Sequence, residues 1–225
     1  MYARATPDAV IFDLDGVLLD SEPRWNEAKE ALVRDAGGTW LPEAPVAMMG
    51  MSSPEWSAYL RDALGVPMEP DAINRDVVRR MAEVYAAGLP LLPGANEAVR
   101  ALAARWPLAL ASSSNREIID LVLDRAGLAG LFRVTISSEE VAHGKPAPDV
   151  YIEAARRLGA RPARCVAVED SANGLRAAAA AGMTVIAVPN PHYPPGADAL
   201  ALAAATVATA GEITPALVES LTPAA

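Results

Sequence analysis

Short apolar runs recur along this chain, and helical patterns fill the intervals between them. Val10–Phe12, Leu108–Ala111, Val134–Ile136, Cys165–Val168 and Thr184–Val188 are β-branched or apolar throughout. Continuous runs of this length fit strands that are buried on both faces. Between them, Ala95, Ala98, Val99 and Leu102 recur at helical spacing, and so do Ile118, Leu121, Val122 and Ala126. Ser114-Asn115-Arg116-Glu117 reads as a capping box that opens the second of these helices, with Gly127 as its stop. Strand–helix alternation of this kind predicts an α/β fold built on a doubly wound parallel sheet. The Ala-rich tail predicts a last weak strand at Ala205–Ala208 and one more helix.

One interval breaks the alternation. From Asp20 to Ala87 the pattern is helical and no strand is evident. Ser21-Glu22-Pro23 opens a first helix, which Gly37-Gly38 ends. Ser53 and Pro54 suit the N-cap and first turn of a second, with Trp56, Tyr59, Leu60, Ala63 and Leu64 on one face. Asp71 suits the cap of a third helix carrying Ile73, Val77, Met81 and Tyr85. The expected division is therefore a sheet domain of residues 1–19 and 88–225, interrupted by an all-helical cap of residues 20–87. An insertion directly after the first strand would sit over that strand's end, where a lid excludes water and selects substrate.

Composition narrows the partners. The 225 residues are 52% hydrophobic, enough for a sizeable core, and the formal net charge of −9 argues against nucleic acid or an anionic membrane surface. Cys165 is the only cysteine and lies in an apolar run, so no intrachain disulfide is possible and an inert core thiol is expected. Met1 to Asp8 lack the layout of a signal peptide, and the longest apolar stretch, Ala177 to Val188, is interrupted by Gly182 and too short for a bilayer. The expectation is a cytoplasmic protein.

Four segments carry chemistry, and each has a plain structural reading beside the functional one. The run Val10-Ile11-Phe12 ends in Asp13-Leu14-Asp15-Gly16. Two carboxylates at a strand's carboxyl end either make a solvated turn or meet a cation, and that end of a parallel sheet is where ligands bind. Ser112-Ser113-Ser114 closes the second run before a helix; hydroxyls and free N–H groups there either cap the helix or hold an anion. Gly144-Lys145-Pro146-Ala147-Pro148 offers a lysine that is either solvated or aimed by the stiff prolines beside it. Cys165-Val166-Ala167-Val168 again ends in two acids, Glu169 and Asp170, followed by Ser171 and Gly174.

Acid, hydroxyl, lysine and acid in that order resemble the haloacid dehalogenase superfamily, in its small-cap branch of sugar-phosphate phosphatases and phosphoglucomutases. The residues that carry the resemblance are Asp13 through Ser21, Ser112, Lys145 with Pro146 and Pro148, and Glu169-Asp170-Ser171 with Gly174. The resemblance spans essentially the whole chain and implies a Rossmann-like core. It implies Asp13 as nucleophile on phosphorus and Asp15 as acid and base, which has to carry a proton for part of the cycle. It also implies Mg²⁺ bound by the Asp13 carboxylate, the Asp15 carbonyl and Asp170, with Glu169 supporting the metal shell. Ser112, the Ser113 backbone and Lys145 would hold the transferring oxygens. The partner is then a small phosphate ester, and a monomer is expected.

Two departures separate the reactions within that branch. Its mutases usually carry a histidine where this chain has Trp25, and a cap arginine after a Gly-x-Ser stretch where Gly50-Met51-Ser52 is followed by Ser53. The segment Ser21-Glu22-Pro23-Arg24-Trp25 looks more like the phosphatases of hexose and hexitol phosphates. The reading is therefore a phosphatase of a small sugar or polyol monophosphate; a phosphosugar mutase is the alternative, and an inactive metabolite-binding regulator a more distant one. Arg24 or Arg61 could supply a cap cation from another direction, and Trp25, Met49 and Ser52 are the candidate cap contacts to substrate.

Overall fold

The computed structural model describes residues 6–48 and 51–221, so Met49 and Gly50 lie outside the described residues. Strands β1 (Ala9–Phe12), β2 (Leu108–Ser112), β3 (Phe132–Ser137), β4 (Cys165–Glu169), β5 (Thr184–Ala187) and β6 (Ala205–Thr206) form one sheet in the order 3-2-1-4-5-6, parallel throughout. The chain winds outward in one direction from β1 through β2 to β3, then returns to the other side of β1 for β4. The crevice between the carboxyl ends of β1 and β4 is thus the point where the strand order reverses, the position at which such sheets bind ligands.

Alternation along β1 sends Val10 and Phe12 to one face and Ala9 and Ile11 to the other, each into a separate buried cluster. On the first face pack α5 (Ala95–Ala103) and α6 (Arg116–Arg125), with Phe132 edge-on to Phe12. On the second pack α7 (Asp149–Leu158) and α8 (Ala172–Ala180), where Ala154, Ala155, Ala177 and Ala178 let helix and sheet approach closely. Short α9 (Ala197–Leu200) and α10 (Pro215–Leu221) close the chain.

Between β1 and α5 stand four helices: α1 (Glu22–Asp35), α2 (Ala44–Ala47), α3 (Ser53–Asp62) and α4 (Pro70–Ala87). Their shared interior is Leu32, Val33, Trp56, Leu60, Ile73, Val77, Met81 and Tyr85, all buried. Three details differ from the sequence reading. The N-cap of α3 is Ser52, not Ser53, because Ser52 N–H and Oγ–H both donate to Glu55 (2.7 and 2.6 Å). The N-cap of α4 is Glu69, and Asp71 sits inside the first turn. Strand β6 covers only Ala205–Thr206, since beyond it only the Val207 N–H still bonds back to β5. Among the described residues, no helix is long and apolar enough to cross a membrane.

Candidate active site

The floor of the site is made by residues that immediately follow β1 and β4. Asp13 is 6% exposed and its N–H donates to Val168 O at 3.0 Å, so the ladder between β1 and β4 fixes its backbone. Lys145 Nζ donates to Asp13 Oδ1 at 2.7 Å and to Glu169 Oε1 at 2.6 Å. Tyr151 of α7 donates its hydroxyl to the same Glu169 oxygen at 2.6 Å. The other oxygen, Oε2, accepts from the N–H of Asp170 (3.1 Å) and from the N–H and hydroxyl of Ser171 (3.4 and 3.3 Å). Asp170 Oδ2 accepts from Asn190 Nδ2 at 3.0 Å, and Asn190 Oδ1 in turn accepts from the backbone of His192 and Tyr193.

Two glycines make this crowding possible. At Gly16, φ is +75° and a Cβ would stand 1.8 Å from Asp170 Oδ2; only a residue without one lets the turn after β1 close over that carboxylate. At Gly174 a Cβ would stand 1.9 Å from the Glu169 carboxyl, which here lies against the first turn of α8.

Asp15 is held differently. Its Oδ1 accepts from Trp25 Nε1 at 3.2 Å and its Oδ2 from Ser114 Oγ at 2.6 Å, neutral donors from the cap and from the loop after β2. The Ser114 hydroxyl therefore does not cap α6, as the sequence pattern predicts. Asn115 is the N-cap residue and makes no side-chain cap bond either. Its amide instead accepts from Ser53 Oγ (3.1 Å) and donates to Glu139 Oε1 (2.6 Å) and Asn74 Oδ1 (3.4 Å), tying α3 and α4 of the cap to the sheet domain.

Asp13, Asp15, Asp170, Lys145, Ser113, Ser114 and Ser171 line a cavity of about 100 Å³ from below, and Glu22, Trp25, Lys29, Met48, Met51, Ser53 and Trp56 from the cap. Of the predicted residues, Ser112 is fully buried just beneath, its Oγ accepting from the Ser114 N–H at 3.0 Å. Ser52 does not reach the cavity wall, because its hydroxyl is committed to Glu55; its neighbour Ser53 takes that place. Met49 lies outside the described residues. Arg24 and Arg61 pair with Glu27 and Asp62 at the surface and do not line the cavity. Sequence reasoning missed Lys29, Tyr151 and Asn190, and it placed Ser114 and Asn115 in the anion-holding or capping segment without their partners. Lys29 shares its helix with Arg24 and Arg34, so the sequence does not single it out.

Burial raises the Asp13 pKa to about 8 against the pull of Lys145, and the charges of Glu169 and Asp15 push the same way. Asp170 is driven well above the usual carboxylate range by burial and by repulsion from Glu169 and Asp13. Lys145 stays above its ordinary value: burial draws it down, and Asp13 and Glu169 outweigh that. One ligand atom each from Asp13, Glu169 and Asp170 lies within 4.8 Å of the others. Three buried acids and one lysine leave negative charge unbalanced, and all-oxygen donors suit a hard divalent cation such as Mg²⁺.

A carboxylate-lined pocket covered by helices thus lies at the switch point of a parallel α/β sheet, where such sheets bind ligands. The chain belongs to the haloacid dehalogenase-like hydrolase family, whose model matches residues 7–182. It is 36% identical over 190 residues to hexitol phosphatase B of Escherichia coli, covering 82% of this chain and 84% of that one. A fructose-1-phosphate phosphatase of the same organism is 32% identical over 193 residues, covering 84% and 98%. A Thermotoga maritima structure described as a beta-phosphoglucomutase superposes with a TM-score of 0.74 at 31% identity, covering 95% of this chain and all of that one. The phosphatases among these relatives place the chain with the phosphoric monoester hydrolases.

Proposed function

We propose that the protein is a Mg²⁺-dependent phosphatase of a small sugar or polyol monophosphate that works through an aspartyl-phosphate on Asp13. The observation that carries this reading is the division of labour between two carboxylates two residues apart. Asp13 is bound by an ammonium at the floor, and Asp15 by two neutral donors at the wall. The first is aimed by Lys145, and among the described residues the second faces only neutral donors. In the first step an Asp13 oxygen bonds to phosphorus while the ester P–O bond breaks, and Asp15 gives its proton to the departing alkoxide. In the second, Asp15 takes a proton from water as that water attacks the phosphorus, and phosphate leaves with Asp13 restored.

Lys145, held by Glu169 and Tyr151, fixes Asp13 and offsets charge on the transferring group. Ser113 and Ser114 line the path of the phosphoryl oxygens, and Ser112 braces that loop. The metal would be held by Asp13, the Asp15 carbonyl and Asp170, and would supply positive charge that lets a carboxylate approach a phosphate dianion. Glu169 supports that shell from behind, since its oxygens already take donors from Lys145, Tyr151, Asp170 and Ser171. Residues 20–87 act as the cap that closes the site and meets the leaving group.

Phosphosugar mutase chemistry is the second reading, favoured by one observation: Lys29 gives the cap a cation that the missing arginine after Met51-Ser52 had denied it. Phosphate release from a panel of sugar and polyol monophosphates, with Mg²⁺ and with chelator, tests the proposal. Release should require Mg²⁺ and fall by about 10⁴-fold or more in Asp13→Asn. Conversion of β-glucose 1-phosphate to glucose 6-phosphate without free phosphate, given a trace of glucose 1,6-bisphosphate, would establish the mutase instead.

A further inference from the structure

Among the described residues, Lys29 is the one cation on the cap side of the cavity, and its surroundings are unusual for a lysine. The residue is 6% exposed. Its ammonium stands 5.7 Å from the ring centre of Trp25 and 5.1 Å from that of Trp56, two indoles whose own centres are 6.4 Å apart. Among the described residues, no carboxylate comes within ion-pair distance of it. Glu22 and Asp15 act on it only from further off, and burial draws its pKa down. Lysine rarely stays buried without an anionic partner. The indole faces offset part of the cost but accept no conventional hydrogen bond, and Lys29 lines the cavity from which an acceptor could come.

The rest of the wall sharpens the point. Asp15 and Glu22 make the upper cavity acidic, so an anion could enter there only against a fixed cation. A hydroxyl would satisfy a donor without cancelling the charge, whereas a carboxylate or phosphate does both. We propose that Lys29 is the specificity-determining residue of the cap, and that the substrate is a phosphate monoester bearing a second anionic group on its leaving-group end. This rests on the phosphatase reading of the same cavity and adds the chemistry of the far end of the substrate. Trp25, which bonds Asp15 and flanks Lys29, then links occupancy of the anion subsite to the position of the proton donor.

Two matched pairs test it. Fructose 1,6-bisphosphate against fructose 1-phosphate asks for a second phosphate, and 6-phosphogluconate against glucitol 6-phosphate asks for a carboxylate. The wild-type enzyme should prefer the doubly anionic member of at least one pair in kcat/KM, and the pair that responds identifies the anion. In Lys29→Met, which keeps the side-chain length and removes the charge, that ratio should fall roughly 10- to 100-fold. A purely structural role would lower both members together and leave the ratio standing. The same comparison is made without turnover by titrating the probes into Asp13→Asn and following Trp25 and Trp56 fluorescence. No preference in the wild type, or a preference that survives Lys29→Met, overturns the assignment. If no ester releases phosphate yet the fluorescence preference exists and vanishes with Lys29, the phosphatase reading falls and the anion subsite stands.

Discussion

The carboxyl ends of β1 and β4 each carry two acids after a buried apolar run, but they deliver them differently. At β1 the acids are two residues apart, Leu14 between them turns into the core, and both Asp13 and Asp15 reach the cavity. At β4 they are adjacent, and only Asp170 reaches it; Glu169 is turned the other way, fully buried under Lys145 and Tyr151. Side chains alternate direction along an extended chain, so spacing decides how many carboxylates the pocket receives. The pair at β1 faces the pocket together. The pair at β4 splits into one acid that faces the pocket and one that holds the floor together.

Substitutions at β4 test this split most strongly. Glu169→Gln removes the charge that Lys145, Tyr151 and the start of α8 all bond, and should cost about 2–3 kcal/mol in chemical denaturation. Asp170→Asn removes an acid that its neighbours repel, and should change stability by less than about 1 kcal/mol without added metal. Equal losses at the two positions would abolish the distinction. Metal sharpens it further: at a Mg²⁺ concentration 100 times its dissociation constant, the wild type should gain about 2.7 kcal/mol, and Asp170→Asn should gain none.

At β1 the effects are catalytic. Trp25→Phe keeps an aromatic ring beside Lys29 but deletes the N–H bonded to Asp15, and should lower kcat by about 10-fold with little change in stability. The smallest effect lies at the opposite ends of the same strands. There the Arg164 guanidinium beside Asp8 holds its carboxyl down at about 2, with Arg161 adding to it. A lowered pKa means the stabilisation is complete above the ordinary carboxylate range and lost as pH falls toward 2. Asp8→Asn should therefore cost about 1 kcal/mol or less at neutral pH, and the gap between the two proteins should close between about pH 4 and 2 in acid denaturation.

Much of the floor was legible because its residues announce themselves locally. Asp13, Asp15, Glu169 and Asp170 end apolar runs that read as buried strands, and Lys145 is followed by the stiffening Pro146 and Pro148. What local pattern could not give was partner choice. Ser114 and Asn115 look like a capping box, yet a carboxylate 99 positions earlier in the chain takes the serine hydroxyl and cap residues engage the asparagine. Tyr151 and Asn190 read as ordinary helix and loop residues until the sheet brings them to Glu169 and Asp170. Lys29 falls on a helix rich in charge, where nothing in the sequence marks which cation two tryptophans will enclose.

Asp13 meets Lys145 across 132 positions of chain, and β4 follows later still. During synthesis the strand that leads to Asp13 emerges early, while the lysine that accompanies it into the interior is still to be made. The contacts that join the centre of the sheet are thus the same ones that bring Asp13, Lys145 and Glu169 together.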